Sequence, residues 1–496
     1  MDLADRCPQH SLGPLYRRQR HGDSGGIRRV RRNGRPIRLR GGRDPGLVDT
    51  TRTRPRTTRA RVGRWSHHGC RPAAAARGRG GHAQPPTKAA PQVTSQDPPP
   101  SIPLTEPRDG LPEVVNSPAA LESAVAAVVA GKGPVAIDAE RASGYRYGHR
   151  AYLVQLRRLG TGTIMIDPLG APDLSSLGRA VSDVEWVLHA STQDLPCLAD
   201  IGMRPAKLFD TELAARLLSL PRVGLGPLVE NILGFQLEKG HSAADWSSRP
   251  LPESWLRYAA LDVELLLELR DELERRLRDA GKLEWAEEEF AAIAAAPPPE
   301  PRADPWRRTS GLHRVRDRRA LAVVRELWYA RDDLARKRDL SPGRVLPDAA
   351  IVEAAIAAPA TAEELAGMPV FRGRAQRRES GRWFTAIAHA RALPDDQLPA
   401  HTARYDGPPP ARTWVSREPE AAARLAIART AVAEVAEAHT LPVENLLTPE
   451  TLRRVTWSPP DPPTEESIAE AFRLRGAREW QIRLTAGPVA KALAAS

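Results

Sequence analysis

At 496 residues the chain exceeds one typical domain and suits two or three, and a 41% hydrophobic share is enough for real cores, although 47 prolines and 36 glycines imply long irregular connections. Its formal charge of +12 is concentrated at one end: residues 1–80 carry 21 Arg, no Lys and 5 Asp, and removing these from 73 basic and 61 acidic residues leaves 52 and 56, a slightly acidic remainder. Three cysteines (Cys7, Cys70 and Cys197) without metal-type spacing argue against a disulfide scaffold, and no run reaches the roughly 18 apolar residues of a membrane helix.

In chain order, residues 1–110 read as an Arg-rich arm followed by a Pro-rich spacer, "AQPPTKAAPQVTSQDPPPSIPLTEPRDG", both expected to be disordered. Dense Arg suits a phosphate-binding tail. Arg without a single Lys is better accounted for by upstream DNA read through a misplaced start codon. The opening "MDLADRCPQHSLG" lacks the apolar stretch of a signal peptide, so a cytoplasmic protein is expected, with no membrane association. "SPAALESAVAAVVAGKG" predicts a helix capped by Ser117, with Pro118 in its first turn and Gly131 as its stop. "PVAIDAE", "AYLVQLRR" and "TGTIMIDPL" predict three strands whose short turns favour an antiparallel meander. Helix, strand and helix follow in "LSSLGRAVSD", "EWVLHAS" and "QDLPCLADIGM", then a strand and helix in "KLFDTELAARLLSL" and a single long helix in "RYAALDVELLLELRDELERR". This order describes a mixed α/β sheet of about five strands over residues 111–295. Residues 312–393 and 411–496 read as two all-helical domains separated by "LPDDQLPAHTARYDGPPP".

Asp138 and Glu140 alternate along a strand and so face one side. Two like charges there repel unless a cation lies between them; a solvated strand end is the alternative. Asp194 falls in the first turn of a helix, where the dipole also welcomes an acid. Tyr258 and Asp262, one turn apart, share a helix face, while Leu261, Leu265 and Leu269 supply the buried stripe. Four carboxylates on three segments suit hard cations with oxygen ligands, and two Mg²⁺ or Mn²⁺ about 4 Å apart hydrolyse phosphodiesters.

The set "DAE", "HASTQD" and "YAALD", carried by strand, turn and helix, resembles the DEDD exonucleases of the ribonuclease H-like fold, in the subclass with a Tyr before the last Asp. With "FDTELAARLLSL", "LEKGHSAADWSSRPLP" and the helical tail, residues 112–496 resemble the ribonuclease D family. That resemblance implies an α/β ribonuclease H-like exonuclease domain with a mixed sheet, followed by two all-α HRDC-type domains. It also implies a funnel that admits single strands. Asp138 would bridge two metals, Glu140 and Asp262 would complete the tighter site, Asp194 would hold the second metal, and Tyr258 would orient the attacking water. Ala139 stands where the family often has Thr or another small residue, which bears on packing near the 3′ nucleotide.

Four further positions on the exonuclease segment are candidates. His189 reads as a phosphate contact or a hydrogen-bonded strand-end residue, and Lys239, His241 and Trp246 as a groove for single-stranded RNA or a structural loop over the sheet. The stretch around "LAVVRELWYARDDLARKRDLSPGRVLPD" resembles the HRDC module, whose Arg336, Lys337 and Arg344 read as a phosphate patch or a solvated helix end. The expected activity is a metal-dependent 3′-to-5′ exoribonuclease acting as a monomer on RNA 3′ ends such as tRNA precursors. The alternatives are the same chemistry on DNA, and a catalytically dead nucleic-acid binder. The signature of the last, a missing ligand, is absent.

Overall fold

A computed structural model describes residues 101–496, apart from 239, 242, 299, 403–406 and 496; the Arg-rich arm and most of the spacer lie outside the described residues. Six strands form a mixed sheet in the order β2-β5-β4-β3-β6-β7. They are β2 (Val114–Val115), β3 (Lys132–Arg141), β4 (Ala151–Leu159), β5 (Gly162–Ile166), β6 (Glu185–Leu188) and β7 (Lys207–Asp210). β3, β4 and β5 form the expected antiparallel meander, while β6 and β7 extend it in parallel beyond β3. The short β2 adds a sixth strand to the five expected, and β1 (Ile102–Leu104) pairs separately with β8 (Phe235–Leu237).

The helices of this layer are α1 (Pro118–Ala130), α2 (Ser175–Ala180), α3 (Leu195–Asp200), α4 (Thr211–Leu217), α5 (Leu225–Leu233), α6 (Glu253–Glu264), α7 (Leu266–Asp279) and α8 (Leu283–Ala294). Ser117 caps α1 by accepting from the Ala120 amide, with Pro118 opening the helix, as the sequence signals predict. The single helix expected over 257–276 is two helices, broken at Leu265 (φ −114°, ψ 8°). The break falls beside the fully buried Glu264, whose carboxylate meets Arg108 Nε at 2.7 Å and Arg157 at 3.2 Å. A buried carboxylate requires such partners, and no apolar pattern announces them.

The two helical segments are built differently. Residues 306–398 enclose a core of their own around Trp306, Leu327, Ile351 and Trp383. Residues 414–493 instead continue the apolar core of the sheet layer: Trp480 stacks on Trp285 at 5.2 Å, and its indole donates to Glu289. Lys282, on the loop between α7 and α8, donates to the carbonyls of Leu217 (2.8 Å) and Thr440 (2.9 Å), tying the same two regions. Among the described residues no helix is long and apolar enough to cross a membrane.

Candidate active site

The central strand β3 delivers two carboxylates to one face. Asp138 and Glu140 sit opposite Gln155 and Leu153 of β4, and the ladder slips between Glu140 and Arg141, where the strand leaves the sheet. Helix α6 crosses this face and contributes Asp262. One carboxylate oxygen from each of Asp138, Glu140 and Asp262 lies within 4.8 Å of the others. Tyr258, one turn earlier, shares that face of α6 with Asp262. Asp194 enters from the turn after β6, heading α3, with its Oδ1 3.1 Å from an Arg141 nitrogen. That ion pair is not aligned as a hydrogen bond, because the other guanidinium arm of Arg141 donates to the Gln193 carbonyl.

Burial and mutual repulsion dominate the electrostatics. Burial pushes Asp138 up to about 6, with Arg141 opposing, and Asp194 up to about 8, helped by the charge of Asp138. Burial, then Asp138, Asp262 and Asp194, raise Glu140 to about 10. Asp262 is also held well above the usual carboxylate range by burial and Asp138, and burial beside Asp262 raises the Tyr258 phenol. Carboxylates so crowded form a donor set for a hard divalent cation, which would take the place of the protons they otherwise retain, and the residues present fit one.

The turn carrying Asp194 has an organiser that sequence reasoning missed. Asp210, at the end of β7, caps α4 through the amides of Glu212 and Leu213 and also accepts from the Ala190 amide (3.2 Å), the Ser191 amide (2.8 Å) and the Ser191 hydroxyl (2.7 Å). It thus fixes a turn in which Ala190 adopts left-handed backbone (φ 57°). An Asp immediately before a helical run, in "FDTELAARLL", is a readable cap signal; its reach across to the next strand is not. Gln155 was missed too. It is fully buried directly across from Asp138, and both of its amide atoms lack a hydrogen-bond partner within the protein.

The remaining candidates divide. His241 lies beside the site, its ring edge-on to Tyr258 at 5.9 Å. Lys239 lies outside the described residues. Trp246 requires a correction: it is fully buried in a small cluster with Tyr152, Leu153 and Ala259, 5.4 Å from Trp255, so its ring has no free face for a base. His189 bonds the Thr211 hydroxyl at 2.9 Å, which accounts for it as a strand-end residue, and burial lowers its pKa. Arg336 and Arg344 each have partners within the protein, and Arg336 stays largely exposed. Arg344 donates to the Gly144 carbonyl and covers the Tyr145 ring, and Arg336 pairs with Asp332 and lies over Tyr147. Lys337 is exposed and pairs with Asp333 one turn away.

A sheet with this strand order and an acidic cluster at the end of its central strand defines the 3′-5′ exonuclease class. Residues 112–278 match the family model described as 3′-5′ exonuclease, residues 320–387 the HRDC domain, and residues 407–493 the 3′ to 5′ exonuclease C-terminal domain. A ribonuclease D of Gluconacetobacter diazotrophicus is 35% identical over 292 residues, covering 57% of this chain and 73% of the relative. A crystal structure of a protein from Bifidobacterium adolescentis superposes with a TM-score of 0.74 at 39% identity, covering 79% of this chain and 99% of the other. That of Escherichia coli RNase D, described as an exoribonuclease involved in structured RNA processing, gives 0.56 at 26% identity, over 77% and 98%. The chain belongs to the ribonuclease D family.

Proposed function

We propose that this protein is a 3′-to-5′ exoribonuclease that removes nucleoside 5′-monophosphates one at a time from RNA 3′ ends, with two Mg²⁺ or Mn²⁺ ions held by Asp138, Glu140, Asp194 and Asp262. The observation that carries the reading is the convergence of Asp138, Glu140 and Asp262 at the end of the central strand. Divalent ions bound there would supply an activated water and neutralise charge on the leaving oxygen. Water oxygen bonds to phosphorus as the P–O3′ bond breaks; the departing 3′ oxygen takes up a proton and becomes the new RNA end.

The protein side of that step is positional and electrostatic. Asp138 and Glu140 are fixed by the pleat of β3, and Asp262 by α6, so three ligands from two elements hold their spacing without rearrangement. Tyr258 keeps its proton well above neutral pH, and from its place one turn before Asp262 it holds the attacking water in line. Arg141, a quarter exposed beside Asp194, offers a cation to the phosphate being cut. Structured RNAs such as tRNA precursors are the proposed substrates, and the cytoplasm and the monomer the proposed setting. Digestion of matched RNA and DNA oligomers labelled at the 5′ or the 3′ end, with Mg²⁺, Mn²⁺ or chelator, tests this. Metal-dependent release of labelled mononucleotide from 3′-labelled RNA is expected. Faster cleavage of DNA, or equal inactivity of wild type and Asp138→Ala while both bind RNA, overturns it.

A further inference from the structure

Strand β3 leaves the sheet directly after Glu140 and Arg141, and the loop that follows, residues 142–150, is gripped from both sides. Toward the sheet, Ala142 and Tyr145 belong to the small apolar cluster that also holds Trp255 and Tyr258. Arg146 Nε donates to Ser247 Oγ at 2.7 Å, fastening the loop to the segment carrying the buried Trp246. From the other side comes the helical domain of residues 306–398. The Ser341 amide donates to the Tyr145 carbonyl at 2.9 Å, and Arg344 Nε to the Gly144 carbonyl at 2.8 Å. The Arg344 guanidinium also lies 4.2 Å from the centre of the Tyr145 ring. Tyr147 inserts against the core of the helical domain and donates to Asp332 at 3.1 Å, with the Arg336 guanidinium over its ring at 5.6 Å.

These contacts join residues nearly 200 positions apart in the chain, and they converge on a stretch that begins one residue after Arg141. Tyr145 has neighbours on both sides: Arg344 of the helical domain and the cluster containing Tyr258. Loops with few anchors open locally at little cost, whereas one held by paired backbone carbonyls and a seated aromatic ring does not. We infer that the HRDC domain is a brace for the catalytic strand: through Arg344, Ser341 and Asp332 it holds residues 144–147, and through them the end of β3 that presents Glu140 and Arg141. Arg344, Tyr147 and Asp332 are then positioning residues. The inference rests on the exonuclease reading of the acidic cluster, but it assigns to the helical domain a role separate from gripping RNA.

Arg344→Ala, Arg344→Lys and Tyr147→Phe in the full-length protein test it, with Asp333→Asn as a control on the exposed pair. Each is assayed on a dinucleotide and on a 20-nucleotide RNA, and each is titrated with Mn²⁺ alone by calorimetry. A dinucleotide without a 5′ phosphate has one phosphate, held at the acidic cluster, and none to spare for the helical domain. The brace predicts that kcat on both substrates falls by about ten-fold or more while KM for the long RNA holds, because small misplacements at a reacting centre are costly. Mn²⁺ affinity falls by about ten-fold, as when supporting residues around metal ligands are removed. Arg344→Lys shares the defect, since an ammonium keeps the charge but not the planar cover of Tyr145. Normal dinucleotide rates with a raised KM and a shallower salt dependence on the long RNA would make Arg344 a phosphate contact and overturn the brace. So would unchanged Mn²⁺ affinity in all three variants. The metal titration reads the brace even if wild type cleaves no RNA, an outcome that would sink the exonuclease reading alone.

Discussion

Replacing Asp138 by Asn should make the protein more stable in chelator while abolishing its activity. Asp138 is held at about 6 in the fold against 3.8 for an unstrained aspartate, a rise of about two units, worth ~3 kcal/mol at about 1.4 kcal/mol per unit. The native state binds this proton more tightly than the unfolded chain, so stability falls as pH rises from about 4 through 6 and stays reduced above. Asparagine carries no charge to desolvate and keeps nearly the same shape. Guanidinium midpoints in chelator should therefore coincide for wild type and Asp138→Asn near pH 4 and separate by up to ~3 kcal/mol in favour of the variant at pH 8. Saturating Mg²⁺ should reverse the order, because a ligand at about 1,000 times its Kd adds ~4.1 kcal/mol to the protein that binds it. If Asp138→Asn is the less stable at pH 8 in chelator, by the same margin as at pH 4, the carboxylate is not a desolvated charge waiting for a cation and the electrostatic account of the site fails.

Tyr258→Phe removes only the hydroxyl one helical turn before Asp262; single-turnover cleavage should slow by about 10² or more, the usual scale for a group handling the reacting water, with the Mn²⁺ affinity of the cluster retained. Asp210→Ala should cost about 2–4 kcal/mol in chemical unfolding, since it removes a helix cap worth ~1 kcal/mol and orphans the buried Ala190 and Ser191 amides; it should also slow cleavage by releasing the turn that carries Asp194. Trp480→Ala should cost ~3–5 kcal/mol and lower the melting temperature of the exonuclease layer itself, because its ring packs on Trp285 within the shared core; a melt in which only the C-terminal helices loosen would refute that sharing.

What the sequence revealed depended on how local the physics was. Asp138 and Glu140 were legible because side chains alternate on any strand, and Tyr258 with Asp262 because one helical turn brings i and i+4 together. The meander was legible from β-rich runs in succession, but the turn expected after β3 is a nine-residue loop, residues 142–150. The break at Leu265 was not, because the apolar spacing runs through it unchanged; what parts α6 from α7 coincides with buried Glu264, whose partner Arg108 lies 156 positions upstream. Trp246 was ambiguous in principle: an indole that stacks on a base and one that fills a core are written with the same letter, and only its burial against Trp255 decides.

Arg336 and Arg344 show what charge alone leaves open. A basic run beside a turn offers cations, and RNA offers phosphates, so "ARKRDLSPGR" read equally well as a phosphate patch and as a solvated helix end. Yet a guanidinium is also the side chain best suited to cap a carbonyl and cover a ring at once, and a carbonyl leaves no trace in a sequence. Arg344 does both, on Gly144 and Tyr145. The consequence for the domain is mechanical: Arg344 of its basic turn is seated on the loop leaving β3, so the helical domain acts on catalysis through the strand that bears Asp138 and Glu140.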